Sequence, residues 1–592
     1  MTAEEIRSRI LEVVLANGGH LASSLGAVEI SMALAEVFDP ERDRIVWDVG
    51  HQAYAWKILT GRNESFGTLR QMGGVGPFPN PAESAADAAV AGHAGVSISV
   101  ASGLAAARDA LGTGVHVVAV IGDASVANGT AFEAINNLSA ATGKLIVVLN
   151  DNEMSISRPV GSISGFLGGL IANLRYNRVK AAAEAAGHRM RLTFLRGIYH
   201  KIESRIKGLF LASRFFERFG LRYIGPIDGH DLAKLKGAFT VAKEDKRSVV
   251  VHVVTKKGKG YPPAERDPTA YHGVSAAGSE HAPGWSEAFG DALCGFARED
   301  ERIVALTAAM KDGTGLAGFA KEFPRRFHDV GISEGHMVAF AAGLAAGGMR
   351  PVVAVYSTFL QRAVDQVMHD VCLPNLPVVF CVDRAGVVGA DGATHQGLYD
   401  VSMLRCLPNL TICQPRDEAD LKGLLAEALK RNGPTVIRYP RGALPGVQGE
   451  PTSVQGARVA IWATGDWLAK ARDVADRLAK AEPPIMCEVV HARYIKPFDA
   501  ELLSRQRAAG MAVASLENAA AAGGLGEAIG ADFRFGWPDE FVPHGPPAEL
   551  ELHYGLDAGS VASKLVAAMA RRDVGLKSRD NQTIIQPNNQ KS

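Results

Sequence analysis

Short apolar runs rich in β-branched residues alternate with alanine-rich stretches along most of the chain. The runs at 116–123, 145–151, 248–255, 302–308, 350–357, 376–383, 410–415 and 434–440 read as strands, followed by 457–465, 484–493 and 512–518. They are apolar throughout, where one-sided strands would alternate, and that is the pattern of parallel strands buried on both faces. The spacing therefore predicts an α/β protein of several consecutive units, with mainly parallel sheets covered by helices.

Two stretches break the alternation. Residues 262–286 and 441–457 are rich in Pro, Gly and Ser, and they read as linkers. They divide the chain into a first domain at 1–270, a middle domain at 285–445 and a third at 455–572, with a polar tail at 573–592. Residues 158–225 read as a polar, basic helical insertion in the first domain. The opening MTAEEIRSRILEVV predicts an amphipathic helix with acids in its first turn and shows no targeting pattern.

Composition narrows the function. At 592 residues the chain exceeds a single core. Lys plus Arg and Asp plus Glu both number 63, which gives no electrostatic case for nucleic acid or an acidic membrane surface. No apolar run is long enough to span a bilayer. The six cysteines have no paired or metal-binding spacing and read as reduced, mostly buried thiols. The expectation is a soluble cytoplasmic protein acting on small molecules.

The chemistry concentrates in VIGDASVANGTAFEAINNLSAATGKLIVVLNDNEMSIS, residues 120–157. Asp123 follows one predicted strand and Asn152 the next, and ligands of parallel sheets bind at such strand ends. With a backbone carbonyl such as that of Met154, they form a partial oxygen shell for Mg²⁺. The alternative is that Asp123 caps the following helix and Asn152 makes an Asx turn.

This segment resembles the thiamine-diphosphate motif of transketolase-like enzymes. ANGGHLASSLGAVEISMAL, VWDVGHQAYAWKILTGR, YIGPIDGHD, VTKKGKGYPPAERDP, HDVGISEGHMVAFAAGLA, VDRAGVVGADGATHQGLYD and VIRYPRG together resemble the 1-deoxy-D-xylulose-5-phosphate synthase family, from about residue 5 to about 570. The resemblance implies a transketolase-like thiamine-diphosphate fold and two cofactors, thiamine diphosphate and Mg²⁺. It implies decarboxylative condensation of pyruvate with glyceraldehyde 3-phosphate to 1-deoxy-D-xylulose 5-phosphate, which feeds isoprenoids, thiamine and pyridoxal. A two-fold homodimer is implied, with the third domain building dimer contacts.

Residue by residue, the resemblance places Asp123, Asn152 and Met154 on the metal. Gly92, His93, Ala94, Gly122, Ala124 and Ser125 fall near the diphosphate, and Lys257 and Tyr261 close over the cofactor. Glu334 would bond the aminopyrimidine, where the residue pattern alone allows a solvated acid at a helix start, and Phe359 would stack on that ring. His20, His51 and His395 are implied proton carriers, while His188 and His369 read as surface or core residues. Tyr356, Arg362 and Asp391 would line the substrate channel, and Arg384 and Arg441 would grip the acceptor phosphate.

The chain departs from the family at Ala94, Ala124 and Gly335, and most sharply at Asn80 and Pro81, where the family usually has a basic residue contacting the bound intermediate. The family's short leading segment is also missing. Besides the synthase, two readings stay open: a related carboligase or transketolase with other substrates, and a non-catalytic paralogue.

Overall fold

The structure, a computed structural model, describes residues 1–152, 215–278, 284–446 and 454–573. The chain forms two compact units, one running to Ser279 with Gly331–Ser333 and the other containing the rest.

The first unit is built on a five-stranded parallel sheet in the order β1-β2-β3-β5-β4. The strands are β1 (Arg44–Trp47), β2 (Val117–Gly122), β3 (Ile146–Asp151), β4 (Arg222–Asp228) and β5 (Val249–Val254). Successive side chains go to opposite faces, so each apolar run feeds two cores. Val117, Ala119, Ile121, Val147 and Leu149 pack on one side among residues of the helices Ser97–Leu111 and Gly129–Ala141. Val118, Val120, Val148, Val249 and Val251 pack on the other among residues of Val28–Val37 and Leu232–Glu244. The first helix spans Ala3–Asn17, buries Ile6, Ile10, Val13 and Val14, and starts in a capping box between Thr2 and Glu5.

The second unit holds two sheets. β6 (Ile303–Thr307), β7 (Phe327–Asp329), β8 (Arg350–Tyr356), β9 (Val379–Asp383), β10 (Thr411–Cys413) and β11 (Thr435–Arg438) are parallel, and the later β14 (Tyr494–Lys496) joins β10 antiparallel at the edge. The other sheet contains β12 (Val459–Ala463), β13 (Cys487–His491), β15 (Ala512–Ala520) and β16 (Phe533–Trp537), in the order β13-β12-β15-β16. A single apolar cluster runs from Leu306, Val355, Phe380 and Val382 to Trp462, Val490, Val513 and Ile529, so these two sheets share a core. Beside it, the Arg438 guanidinium is fully buried and makes paired bonds to the Asp400 carboxylate at 2.9 and 3.1 Å. Removing one partner of such a pair costs about 3–5 kcal/mol, because the other charge is left dry.

Two sequence expectations need correction. The insertion expected over 158–225 ends earlier: 215–218 is helical, but β4 begins at Arg222. β4 is an edge strand with an irregular register between Ile224 and Ile227, which is where a Gly-Pro pair is tolerated. Residues 158–214 of that insertion lie outside the described residues. The linker expected at 262–286 is partly ordered, with a helix at Pro262–Arg266, a two-way backbone pairing of Val274 with Gly19, and a helix starting at Trp285. The described cysteines are all free thiols, and Cys406 is the exposed one.

Candidate active site

β2 and β3 are parallel neighbours with Gly122 opposite Asn150, so the chain leaves both at the same end. Asp123 directly follows β2 and Asn152 directly follows β3. Asp123 is 4% exposed and opens the short helix Asp123–Val126, whose N-cap is Gly122 and not the acid. Burial and the neighbouring Asp151 push its carboxyl up to about 8, while the Lys257 ammonium opposes them. Lys257 is itself lowered to about 8 by burial. A dry acid with a second acid beside it is relieved by a cation, and an amide at the next strand exit adds a hard oxygen donor. No cluster of three His, Cys, Asp or Glu is placed for a metal among the described residues, so a cation here would also draw on carbonyl, phosphate and water oxygens. Met154 lies outside the described residues.

The loop containing Gly92, His93 and Ala94 is tied down just after them. The buried Asp48 carboxylate, one residue past β1, accepts from the Gly95 N–H at 2.9 and 3.0 Å and from the Ser97 N–H at 3.1 Å. Ser125 also bonds Asp48, which links this loop to the Asp123 helix. A Cβ at Gly95, with φ +81°, would lie 2.5 Å from Asn128 Oδ1, so only glycine fits. Under the strand ends, Asn150 bonds Gln52 and Thr255, each at 2.7 Å.

Two of the expected histidines, His20 and His51, come together in the first unit. The rings of His20 and His51 are 6.1 Å apart, and Phe78 lies 5.5 Å from His20. A third imidazole, His272, completes the group at 5.7 Å from His20 and 5.4 Å from His51. Burial, with the other imidazoles and Lys257 adding to it, holds His51 and His272 well below the usual histidine range. Both are therefore neutral at working pH. Sequence reading missed His272 because it stands in the stretch taken for a linker; its place in DPTAYHGVS was the available signal. Tyr261 starts the helix Pro262–Arg266 and meets Tyr271 edge-on at 5.6 Å.

In the second unit, Glu334 opens the helix Glu334–Ala346 and is 3% exposed, not solvated. Its Oε2 is buried without a hydrogen-bond partner among the described residues, and Arg362 Nε lies 3.7 Å away. Burial raises its pKa and Arg362 counters in part. A buried carboxyl oxygen with a nearby cation but no hydrogen bond among the described residues suits a ring nitrogen of a bound heterocycle.

A contiguous aromatic and cationic surface follows along this unit. The Arg384 guanidinium stacks 3.8 Å from the Tyr356 ring centre, Tyr356 stacks on Phe359 at 5.8 Å, and Phe359 meets His395 edge-on at 5.5 Å. Thr394 Oγ1 lies 2.9 Å from His395 Nδ1. Arg441 is half exposed, its Nη1 3.6 Å from Asp391 Oδ2. His369 is on the surface beside Asp370, and His188 lies outside the described residues. At the departures, Asn80 is exposed and caps its own turn by accepting from the Ala82 N–H, and Pro81 is exposed beside it. A side chain at Gly335 would meet the Gln366 carboxamide at 3.0 Å.

Comparison with known proteins completes the picture. Residues 1–255 match the family model for 1-deoxy-D-xylulose-5-phosphate synthase, 281–447 the transketolase pyrimidine binding domain, and 451–561 the transketolase C-terminal domain. The chain is 47% identical to 1-deoxy-D-xylulose-5-phosphate synthase 1 of Geobacter metallireducens, with 95% of each chain covered. It is 45% identical to synthase 2 of Geobacter sulfurreducens, with 96% of each covered. Against the synthase of Natranaerobius thermophilus identity is 43%, over 95% of this chain and 94% of the relative. With such identity sustained from end to end, the chain belongs to the 1-deoxy-D-xylulose-5-phosphate synthase family.

Proposed function

We propose that the protein is a transketolase-type transferase that condenses pyruvate with glyceraldehyde 3-phosphate to 1-deoxy-D-xylulose 5-phosphate and CO₂, at the head of isoprenoid precursor synthesis. The observation that carries this reading is the end-to-end identity to named synthases. Thiamine diphosphate, when bound, supplies the carbanion-stabilising centre that decarboxylation and carbon–carbon bond formation need.

This chain's residues do the rest. Asp123 and Asn152, with the Met154 carbonyl that the family resemblance adds, would hold Mg²⁺, which would offset the charge of the diphosphate. The loop at Gly92–Ala94, the Gly122–Ser125 turn and Lys257 surround the phosphates, and Tyr261 closes over the cofactor. Glu334, with its buried Oε2, would bond the aminopyrimidine and hold a proton at that oxygen. Phe359 supports that ring. His20, His51 and His395, joined by His272, pass protons to and from substrate oxygens, and a neutral imidazole is the form able to accept one. Tyr356, Arg362 and Asp391 line the substrate path. Arg384 and Arg441 take the phosphate of the aldehyde, a dianion that guanidinium forks bind through paired bonds. The protein works as a cytoplasmic homodimer, and the domains fall at 1–270, 285–445 and 455–572.

A second reading has its own observation. Asn80 is occupied in a local turn and Pro81 offers no charge, so the donor side lacks the family's usual cation. That observation favours a related carboligase or transketolase with another donor, such as a different 2-oxo acid. The deciding experiment incubates purified protein with thiamine diphosphate, Mg²⁺, carbon-13 pyruvate and glyceraldehyde 3-phosphate and identifies the product. 1-Deoxy-D-xylulose 5-phosphate supports the synthase; turnover only with another 2-oxo acid supports the second reading, and no turnover with any sinks both.

A further inference from the structure

The loop 384–397, RAGVVGADGATHQG, includes three assigned residues: Arg384 of the acceptor-phosphate grip, Asp391 of the substrate path and the proton carrier His395. Its backbone is unusual. Arg384 has φ +57°, and Gly386, Gly389 and Gly392 have φ +89°, +86° and +68°. The loop closes on itself where Gly386 and Gly397 exchange backbone hydrogen bonds at 2.7 Å. Four left-handed residues in nine still leave a glycine-rich loop free to sample both signs of φ between those points, and contacts from outside the loop narrow the choice.

The selecting surface belongs to the third sheet and the segment after it. A Cβ at Gly386 would overlap the Asn518 carboxamide at 2.3–2.6 Å, one at Gly389 would meet Gly545 O and Pro547 at 2.9 Å, and one at Gly392 would meet His544 at 3.0 Å. Each loop glycine is therefore a place where residues 518–547 approach the backbone. Hydrogen bonds fix the match. Asn518 Oδ1 accepts from the Val387 N–H at 3.1 Å and from Trp537 Nε1 at 2.9 Å. Gln396 Oε1 accepts from the Val388 and Gly389 N–H groups, and its Nε2 donates to Pro543 O at 3.0 Å. Asn518 is in turn gripped through its carbonyl by the buried Arg438, at 3.0 Å. The bonds to Asn518 Oδ1 and Gln396 Oε1 are buried, so each one lost strands a donor without water to replace it, while the bond to the exposed Pro543 is only partly buried.

We infer that Asn518, in the C-terminal domain, is a positioning residue for the acceptor loop, and that this domain acts as a template that sets the geometry of Arg384, Asp391 and His395. The inference rests on the reading of 384–397 as the acceptor loop, and it gives the third domain a part in catalysis beyond dimer contacts.

The test is amide hydrogen exchange on the full-length protein, with Asn518→Leu compared with Trp537→Phe. Both substitutions break a bond to the same oxygen, but only the first frees the Val387 N–H. Exchange across 384–397 rises on the order of tenfold in Asn518→Leu and stays at the wild-type rate in Trp537→Phe. Asn518→Asp, which keeps the acceptor oxygen, restores protection. KM for glyceraldehyde 3-phosphate rises with loop exchange across the variants while KM for pyruvate holds. If Asn518→Leu does not fold, Asn518→Ser, whose shorter side chain withdraws from the Val387 N–H, takes its place and is expected to raise loop exchange likewise. Unchanged loop exchange in a folded Asn518→Leu, or in Asn518→Ser where it stands in, overturns the inference, as does equal acceleration in Trp537→Phe. A wild type that makes no product from the two substrates defeats the functional reading and leaves the exchange result standing by itself.

Discussion

The strand exits around Asp123 and the loop around Asp391 are held in opposite ways. At the first, the sheet does the work. Asp123 and Asn152 leave neighbouring parallel strands, and Asp48, at the end of the next strand, fastens the Gly95–Ser97 turn. At the second, the loop closes through its own Gly386–Gly397 pairing, and between those points its backbone is braced by Asn518, Pro543 and Pro547, more than a hundred residues further on. A rigid scaffold places the side chains at its strand exits with little freedom. A templated loop is placed as well as its template is packed, so substitutions far from the substrate affect it.

That contrast yields graded expectations. The largest effect is at Glu334. Glu334→Ala removes the buried carboxyl and should cut turnover by about 10²–10⁴-fold with cofactor affinity retained, the usual scale for losing an acid–base partner. Steady-state rates and calorimetric titration of the same variant decide it, and half-normal turnover makes Glu334 structural. Next is Asp123→Ala, which should weaken thiamine-diphosphate binding in Mg²⁺ by at least about 100-fold, since even outer-shell partners of metals are worth 10–100-fold. The fold should survive, because the residue stands past the strand and not in its core. Unchanged affinity contradicts the metal assignment.

A smaller effect belongs to the histidine cluster. His51 and His272 are depressed in the folded protein, so the unfolded chain binds more protons below about 6.5. Stability therefore rises with pH up to that point and falls on acidification below it, by at most about 1.4 kcal/mol per pH unit for each group. The urea midpoint of wild type should drop more between pH 7 and 5.5 than that of His272→Gln. Parallel curves would remove His272 from the neutral cluster.

How legible each region was follows from the same physics. Interior strands were readable because burial on both faces leaves an unbroken apolar run, as in VVAVI and IVVL. The strands that went unseen, β1, β4, β7, β14 and β16, all lie at sheet edges, where one side is open and the run is short or mixed. Asp123 and Asn152 could be read from position because strand exits are local in sequence. His272 could not, since a polar, proline-rich stretch carries no period even when its backbone pairs with Gly19. Asn518 could not either. Its partner amide is 131 residues away, and the apolar run around it reads only as a strand.

The acceptor side offers the most direct measurement: kcat/KM for glyceraldehyde 3-phosphate and for unphosphorylated glyceraldehyde, on wild type and Arg441→Ala. Arg441 is half exposed and 3.6 Å from Asp391, so it is placed either to bind a phosphate or merely to pair with that acid. A phosphate clamp is worth about 1.5–3 kcal/mol as a set of charge-assisted bonds. The predicted result is a loss of roughly 10–150-fold for the phosphorylated aldehyde and little change for the other, which never used the clamp. Equal losses on both aldehydes would contradict a phosphate-binding acceptor site, and with it the choice of synthase over another carboligase.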